Sequence, residues 1–438
     1  MKLTSFQLIV LCVFAGFVIA GIAAFAIFGA NGRSTSIGSV TIWGTLDQQT
    51  VQSLIMTLGS QDKRFQDVSY IQKDPASYDT DVVNAMASGN GPDLFLVSQD
   101  TVTSFSNKIS VIPYSQESQA AYLTSFIDEG QLFLIPQGAL ALPFTVDPLV
   151  MYWNKDLFAS AGIAQPPVYW SDLISIAPKI TSIDAGSNVA RSAVALGAWG
   201  NITHAKMILS TLFLQAGDPI VVRNSNTGLL QSVFGTTPTG ASENPASSAL
   251  LFYTEFANPS KTTYSWNESL PQSRDAFSAG NVAVYVGPAS DYQLIAAANP
   301  NLNFGVAPLP QIKGNTTRLT FGQLTGLAIS RSAKNPKGAV LVAQALTNAS
   351  SQSALEQQGT FVSARRDLSI DTSSNAIAGI FLQSAIMARG WLDPNPISTD
   401  TLFGDMVGSV VTGQYDPAQA AQQASQEMTQ FVNTAQQQ

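Results

Sequence analysis

Residues 151–170 read MYWNKDLFASAGIAQPPVYW. An extended run, Met151-Tyr152-Trp153, meets Asn154, a residue type suited to cap the helix that Lys155 begins. Asp156 places a carboxylate in the first turn, where free N–H groups and the helix dipole favour it. Gly162 ends that helix. Pro166 and Pro167 stiffen the linker, and Trp170-Ser171-Asp172 opens another helix. A strand, a short helix, a rigid turn and a longer helix make up one stretch of an α/β layer.

Upstream, 140–152 is long and extended and contains Pro143 and Pro148. Prolines suit a segment crossing between lobes better than a central strand. Further upstream, 40–43 is β-rich and ends at Gly44, 47–58 has a helical pattern, and 67–71 alternates as a strand. A helical stretch, 78–87, then leads to an almost wholly apolar strand at 93–97. This alternation predicts a parallel sheet buried on both faces. Ligands in such sheets sit beyond the carboxyl ends of the strands, which makes Thr45 to Asp47 and Ser98 to Asp100 pocket candidates. Downstream, 282–286 is a strand closed by Gly287-Pro288, 303–307 is another, and 321–329 is apolar and extended. Helical patterns occupy 204–215, 336–347, 375–388 and 417–432.

At 438 residues the chain exceeds the size at which one core stops growing, so two lobes are expected. It is 45% hydrophobic and only 11% charged, against roughly 25% charged in ordinary soluble domains. The net charge is -8 and no basic block occurs, which argues against nucleic-acid binding. The single Cys and single His exclude a Cys/His zinc site and Cys/His nucleophilic catalysis. No phosphate-binding loop or nucleophile elbow is present, so no cofactor is expected.

Residues 8–28 carry no charge over 21 positions, long enough to span a bilayer. Lys2 before it and Arg33 after it favour the amino terminus inside and the body outside. A retained membrane helix is the favoured reading. A cleaved signal peptide ending near Gly21-Ile22-Ala23 and a lipoprotein modified at Cys12 are the alternatives, the latter disfavoured by Leu11 before the Cys. Residues 29–39, rich in Gly, Ser, Asn and Thr, read as a tether.

The 151–170 stretch resembles the extracellular solute-binding proteins that serve carbohydrate ABC importers, the group typified by maltodextrin-binding protein. Three further stretches match that family in order and spacing: Gly91-Pro92-Asp93-Leu94, Phe277-Ser278-Ala279-Gly280, and Phe304 to Pro310 followed by Gly326 to Ser330 and Asn335-Pro336. The resemblance covers roughly residues 40 to 435. It implies a two-lobed periplasmic-binding-protein-like fold of the class II type. Each lobe would be a mainly parallel sheet flanked by helices, with one transmembrane helix ahead of them. Lobe 1 would hold 38–144 and 322–358, lobe 2 would hold 145–318 and 365–438, and 1–37 would be anchor and tether. Crossings near 142–146, 309–320 and 359–365 would permit hinge closure on a ligand.

By the same resemblance Asp47, Asp100 and Asp147 stand at cleft carboxylate positions, while Val97 and Ala289 replace two stacking tryptophans. Carboxylates and amides bond sugar hydroxyls and aromatic rings cover their CH faces. Trp43, Thr45, Trp199, Tyr285, Gln323 and Trp391 complete the candidate set. His204 is expected to start a helix and not to touch ligand. The expected partners are a small polar solute, a sugar above others, ABC permease subunits, and the membrane through 8–28. A glycosidase using Asp47 with Asp147, or a membrane-attached receptor or adhesin without a transporter, are the competing readings.

Overall fold

The computed structural model describes residues 36–186, 188–224, 226–237, 244–357, 361–368 and 375–437, together with Phe17 and Val18. The expected membrane helix, 8–28, therefore lies outside the described residues except at Phe17 and Val18. Among the described residues no helix is long and apolar enough to cross a membrane.

The expected first unit is present. Strand β1 (Val40–Gly44) leads to α1 (Gln48–Gln61), β2 (Val68–Gln72), α2 (Tyr78–Ala87) and β3 (Leu94–Ser98). β1 lies parallel to both β2 and β3. Its inward residues, Val40 and Ile42, pack with Leu54 and Leu58 of α1 and with Tyr70, Leu94 and Leu96. Asp47 caps α1 by accepting the Thr50 N–H at 2.8 Å.

The second half begins with β4 (Leu142–Asn154), α3 (Lys155–Ser160), α4 (Trp170–Ile180), β5 (Val189–Val194) and α5 (Ala205–Gln215). Next come β6 (Val282–Pro288), α6 (Asp291–Ala298), β7 (Phe304–Pro308) and β8 (Thr320–Ser330). α7 (Pro336–Leu346), β9 (Val362–Ser363), β10 (Ala388–Arg389), α8 (Pro396–Val411) and α9 (Pro417–Ala435) complete the frame. Asn154 caps α3 as its sequence suggests, accepting from Asp156 N and Leu157 N. Trp170 is 3% exposed and its indole donates to Gln215 at 2.6 Å, which ties α4 to α5.

The lobes' sheets are mixed, not mainly parallel. β3 pairs antiparallel with β8, and β8 antiparallel with β4. β4 pairs antiparallel with β6 and β7, while β5 lies parallel to β6. One expectation for 140–152 is corrected. The segment changes partners along its length, as a crossing must, yet it is a buried central strand of 13 residues. Its amino-terminal half pairs with β8 and β9, and its carboxyl-terminal half with β6 and β7. The prolines fit because each sits where the ladder is interrupted. Pro143 falls at the register shift opposite Gly326, and Pro148 is the last residue paired with β8 before β6 and β7 take over.

Candidate functional site

The partner switch along β4 puts three polar side chains in a row. Gln323 of β8 stands directly opposite Asp147 of β4, so both side chains project from the same face of the sheet. The Gln323 amide donates to Asp100 at 2.7 Å, just past the end of β3. On the other side, the Ser290 N–H, at the start of α6, donates to Asp147 at 3.0 Å. Asp100, Gln323 and Asp147 therefore form one floor where the strands leave one sheet for the other. Neither carboxylate forms an ion pair among the described residues.

Burial, and then the nearby charge of Asp393, push the Asp100 carboxyl up to about 6; the Gln323 amide and Lys206 oppose the rise. Burial likewise raises Asp147, against hydrogen bonds from Ser290. The Asp100 shift has a definite sign. The folded chain holds a proton that the unfolded chain releases, so this group's penalty is absent below the usual carboxylate range and grows as pH rises towards about 6. Asp100→Asn is therefore expected to raise the melting temperature at pH about 7 more than at pH about 4. Equal shifts at both pH values would contradict the burial argument.

Facing the floor, the start of α5 carries His204 and Lys206. His204 adopts φ 64° and ψ 28°, and among the described residues no other non-glycine has positive φ. A left-handed backbone at a residue with a Cβ is a strained state that surrounding contacts must hold. Its imidazole Nε2 lies 3.2 Å from Asp291, which is 2% exposed and also accepts from Tyr285 Oη at 2.5 Å and Arg274 at 3.2 Å. Burial pushes Asp291 up, but the hydrogen bonds from His204 and Tyr285 outweigh it and hold the carboxyl below the usual range. Lys206 donates to buried Asp393 at 2.5 Å, to Thr399 Oγ1 at 2.6 Å and to Pro396 O at 3.0 Å. Each of these side chains is already engaged by a carboxylate.

The structure thus brings together Asp100, Asp147 and Gln323 from the expected set. The others are placed differently. Asp47 is exposed and its carboxyl is lowered by the Thr50 hydrogen bonds, the work of a helix cap. Thr45 is half-buried beside Gly44, and the half-buried Trp43 is covered by Lys73 Nζ, 3.8 Å from its ring centre. Tyr285, expected as a ligand ring, is 1% exposed, stacked on Tyr152 and bonded to Asp291. It sits in the middle of β6, where both sheet faces are covered. Trp391, expected to present a ring from a loop, is 3% exposed, donates to Ser210 and packs on Phe403. Trp199 keeps partial exposure and rests against Gly404, where a Cβ would come within 2.9 Å of its ring. Sequence reasoning passed over Lys206, Asp291 and Asp393 and set His204 aside. Their pairings span 87 and 187 positions, so no local pattern announces them.

The family model for bacterial extracellular solute-binding proteins matches residues 56–353. The chain belongs to that family. Its members are binding proteins and not enzymes, which removes the glycosidase reading. This solute-binding protein is 27% identical over 199 residues to binding proteins of Brucella abortus and Brucella suis, over 45% of this chain and 44% of theirs. The match thus spans less than half the length of those relatives.

Solved structures extend the likeness to the whole two-lobed α/β fold. The cyclic α-maltosyl-1,6-maltose binding protein of Arthrobacter globiformis superposes with a TM-score of 0.74 at 14% identity, covering 91% of this chain and 99% of that one. A cyclo/maltodextrin-binding protein complexed with maltotetraose gives 0.72 at 17%, covering 90% and 97%. A Mycobacterium tuberculosis protein in complex with glycerophosphocholine gives 0.69 at 17%, covering 91% and 99%. At these identities the likeness shows the fold alone.

Proposed function

We propose that this protein captures a neutral, hydroxyl-rich solute, a sugar or polyol, between its lobes and delivers it to an ABC permease by hinge closure. The floor of Asp100, Gln323 and Asp147 carries this reading. It supplies acceptors and an amide at the place where the chain passes between sheets, the chemistry that hydroxyl groups need. Trp199, partly exposed, is the ring available to cover a sugar face. Segment 8–28 holds the protein to the outer face of the membrane, and 29–39 tethers the body within reach of its permease. The lobe boundaries follow the crossings expected near 142–146, 309–320 and 359–365.

A glycerophosphodiester is the second reading, because one structural neighbour is complexed with glycerophosphocholine. The charges disfavour it. Two carboxylates on the floor lack an ion partner, and Lys206, His204 and Arg274 are engaged by Asp393 and Asp291. A phosphate there would meet repulsion, with no unpaired cation on the floor among the described residues. A thermal-shift screen against sugars, polyols, amino acids and glycerophosphodiesters tests both readings, since a ligand that binds the native state raises its melting temperature. A shift with a neutral sugar or polyol is expected. A shift with phosphodiesters alone would replace the first reading with the second.

A further inference from the structure

Directly beneath the floor lies a carboxyl group that the binding reading does not use. Glu129 is 2% exposed, and both its carboxyl oxygens are buried without a hydrogen-bond partner. A buried polar group in that state is costly, so its retention calls for a reason. Its surroundings come from both expected lobes and from the first expected crossing. One oxygen lies against the α-carbon of Gly322, at the start of β8, and the other against Gly390, just past β10. A methyl group at either glycine would collide with the carboxyl. Val146 of β4 and Ala388 of β10 close the same space, each within 2.8 Å of where a Gly322 Cβ would stand. The turn before Glu129 is held by the Ile127 N–H on Ala364 O, from the third crossing.

The charged groups around it come from three elements. Arg389 of β10 is committed to the neighbouring Asp128 at 2.5 Å, and Arg366, past the third crossing, also donates to Asp128. Asp100, past β3, is the remaining carboxylate in reach. Burial raises the Glu129 carboxyl well above its usual range, Arg389 opposes this and Asp100 adds to it.

We propose that Glu129 couples hinge rotation to proton exchange: these positions enclose its carboxyl, and a rotation that opens the short β8–β10 ladder, where Phe321 stands opposite Arg389, parts Gly390 from Gly322 and exposes the carboxyl to water. The enclosed arrangement holds Glu129 as the neutral acid, because a lone buried carboxylate has nothing to compensate its charge. The parted arrangement lets the group ionise. Protons therefore favour the enclosed arrangement, and rising pH favours the parted one, by the same linkage that governs folding. The inference rests on the two-lobed hinge but not on the identity of the solute.

Spin labels on exposed Lys63 and Lys261, one in each lobe, read the inter-lobe distance in the full chain with Cys12 replaced by serine and no solute added. Between pH about 5 and pH about 8, the range over which a buried acid departs from an exposed one, the distance distribution is expected to move towards the parted population. Glu129→Gln is expected to abolish that movement and keep the low-pH distribution at every pH, and Glu129→Met serves the same purpose should the amide fail to fold. An unchanged pH response in both Glu129 variants, or no pH response in the parent chain, would overturn the proposal. Either result can occur while a sugar still shifts the melting temperature, so the binding reading stands or falls separately.

Discussion

Asp147→Ala is expected to weaken solute binding by roughly one to two orders of magnitude while the chain still folds. A hydrogen bond to a charged group contributes about 1.5–3 kcal/mol, and each 1.4 kcal/mol is a factor of ten in affinity. Asp147 is suited to this because Ser290 holds its carboxylate at 3.0 Å while no ion partner neutralises it. Its neighbour opposite, Gln323, orients the amide towards Asp100, so the three groups form one hydrogen-bonding surface. Folding is expected to survive, since burial already raises the Asp147 carboxyl and its removal relieves that strain. Calorimetric titration with the solute found by thermal shift checks the effect, with Asp147→Asn falling between parent and alanine. An alanine variant that binds like the parent would take Asp147 out of the site.

The largest effect on stability is expected at Asp291. Asp291→Ala leaves the buried Tyr285 hydroxyl, the Arg274 guanidinium and the His204 imidazole without their common acceptor. Removing one partner from a buried charged network costs about 3–5 kcal/mol in general, and partial exposure of Arg274 and His204 places this case at about 3 kcal/mol. The contribution is present above the usual carboxylate range and is lost as pH falls through the lowered Asp291 value. A melting curve at neutral pH checks the loss. Asp291→Asn, which keeps an acceptor for Tyr285, is expected to recover part of it. The strained His204 backbone adds a second readout: without Asp291 to hold the ring, His204→Gly is expected to cost nothing further in stability.

The fold was legible in the sequence wherever local chemistry and tertiary placement agree. Asn154, Gly162 and Trp170 do in the structure what their residue types suggest, and the first β-α-β-α-β run is present element for element. Pro143 and Pro148 misled only in part. Residue type said that a proline interrupts a ladder, but not that a central strand could place each one at an interruption it already needed. The mixed sheets were not legible, because strand direction depends on β4 and β8, which lie far apart in the chain.

The site divides the same way. Asp100, Asp147 and Gln323 stand together in the structure because they follow strand ends or crossings, a placement the sequence pattern reaches. The aromatic candidates fared worse, because a loop position does not tell whether a ring faces solvent or packs inward. Tyr285 and Trp391 pack inward. Lys206 with Asp393, and His204 with Asp291, are visible only once α5 is folded against the segments that follow β6 and β10.

The solute is expected to lie between the lobes on the Asp100, Gln323 and Asp147 floor. A crystal structure of the chain with the solute chosen by thermal shift tests it most directly. Solute hydroxyls are expected within hydrogen-bond distance of Asp100, Gln323 and Asp147, with His204 and Lys206 facing them from the start of α5. A solute bound on an outer face of either lobe, with that floor empty, would contradict it.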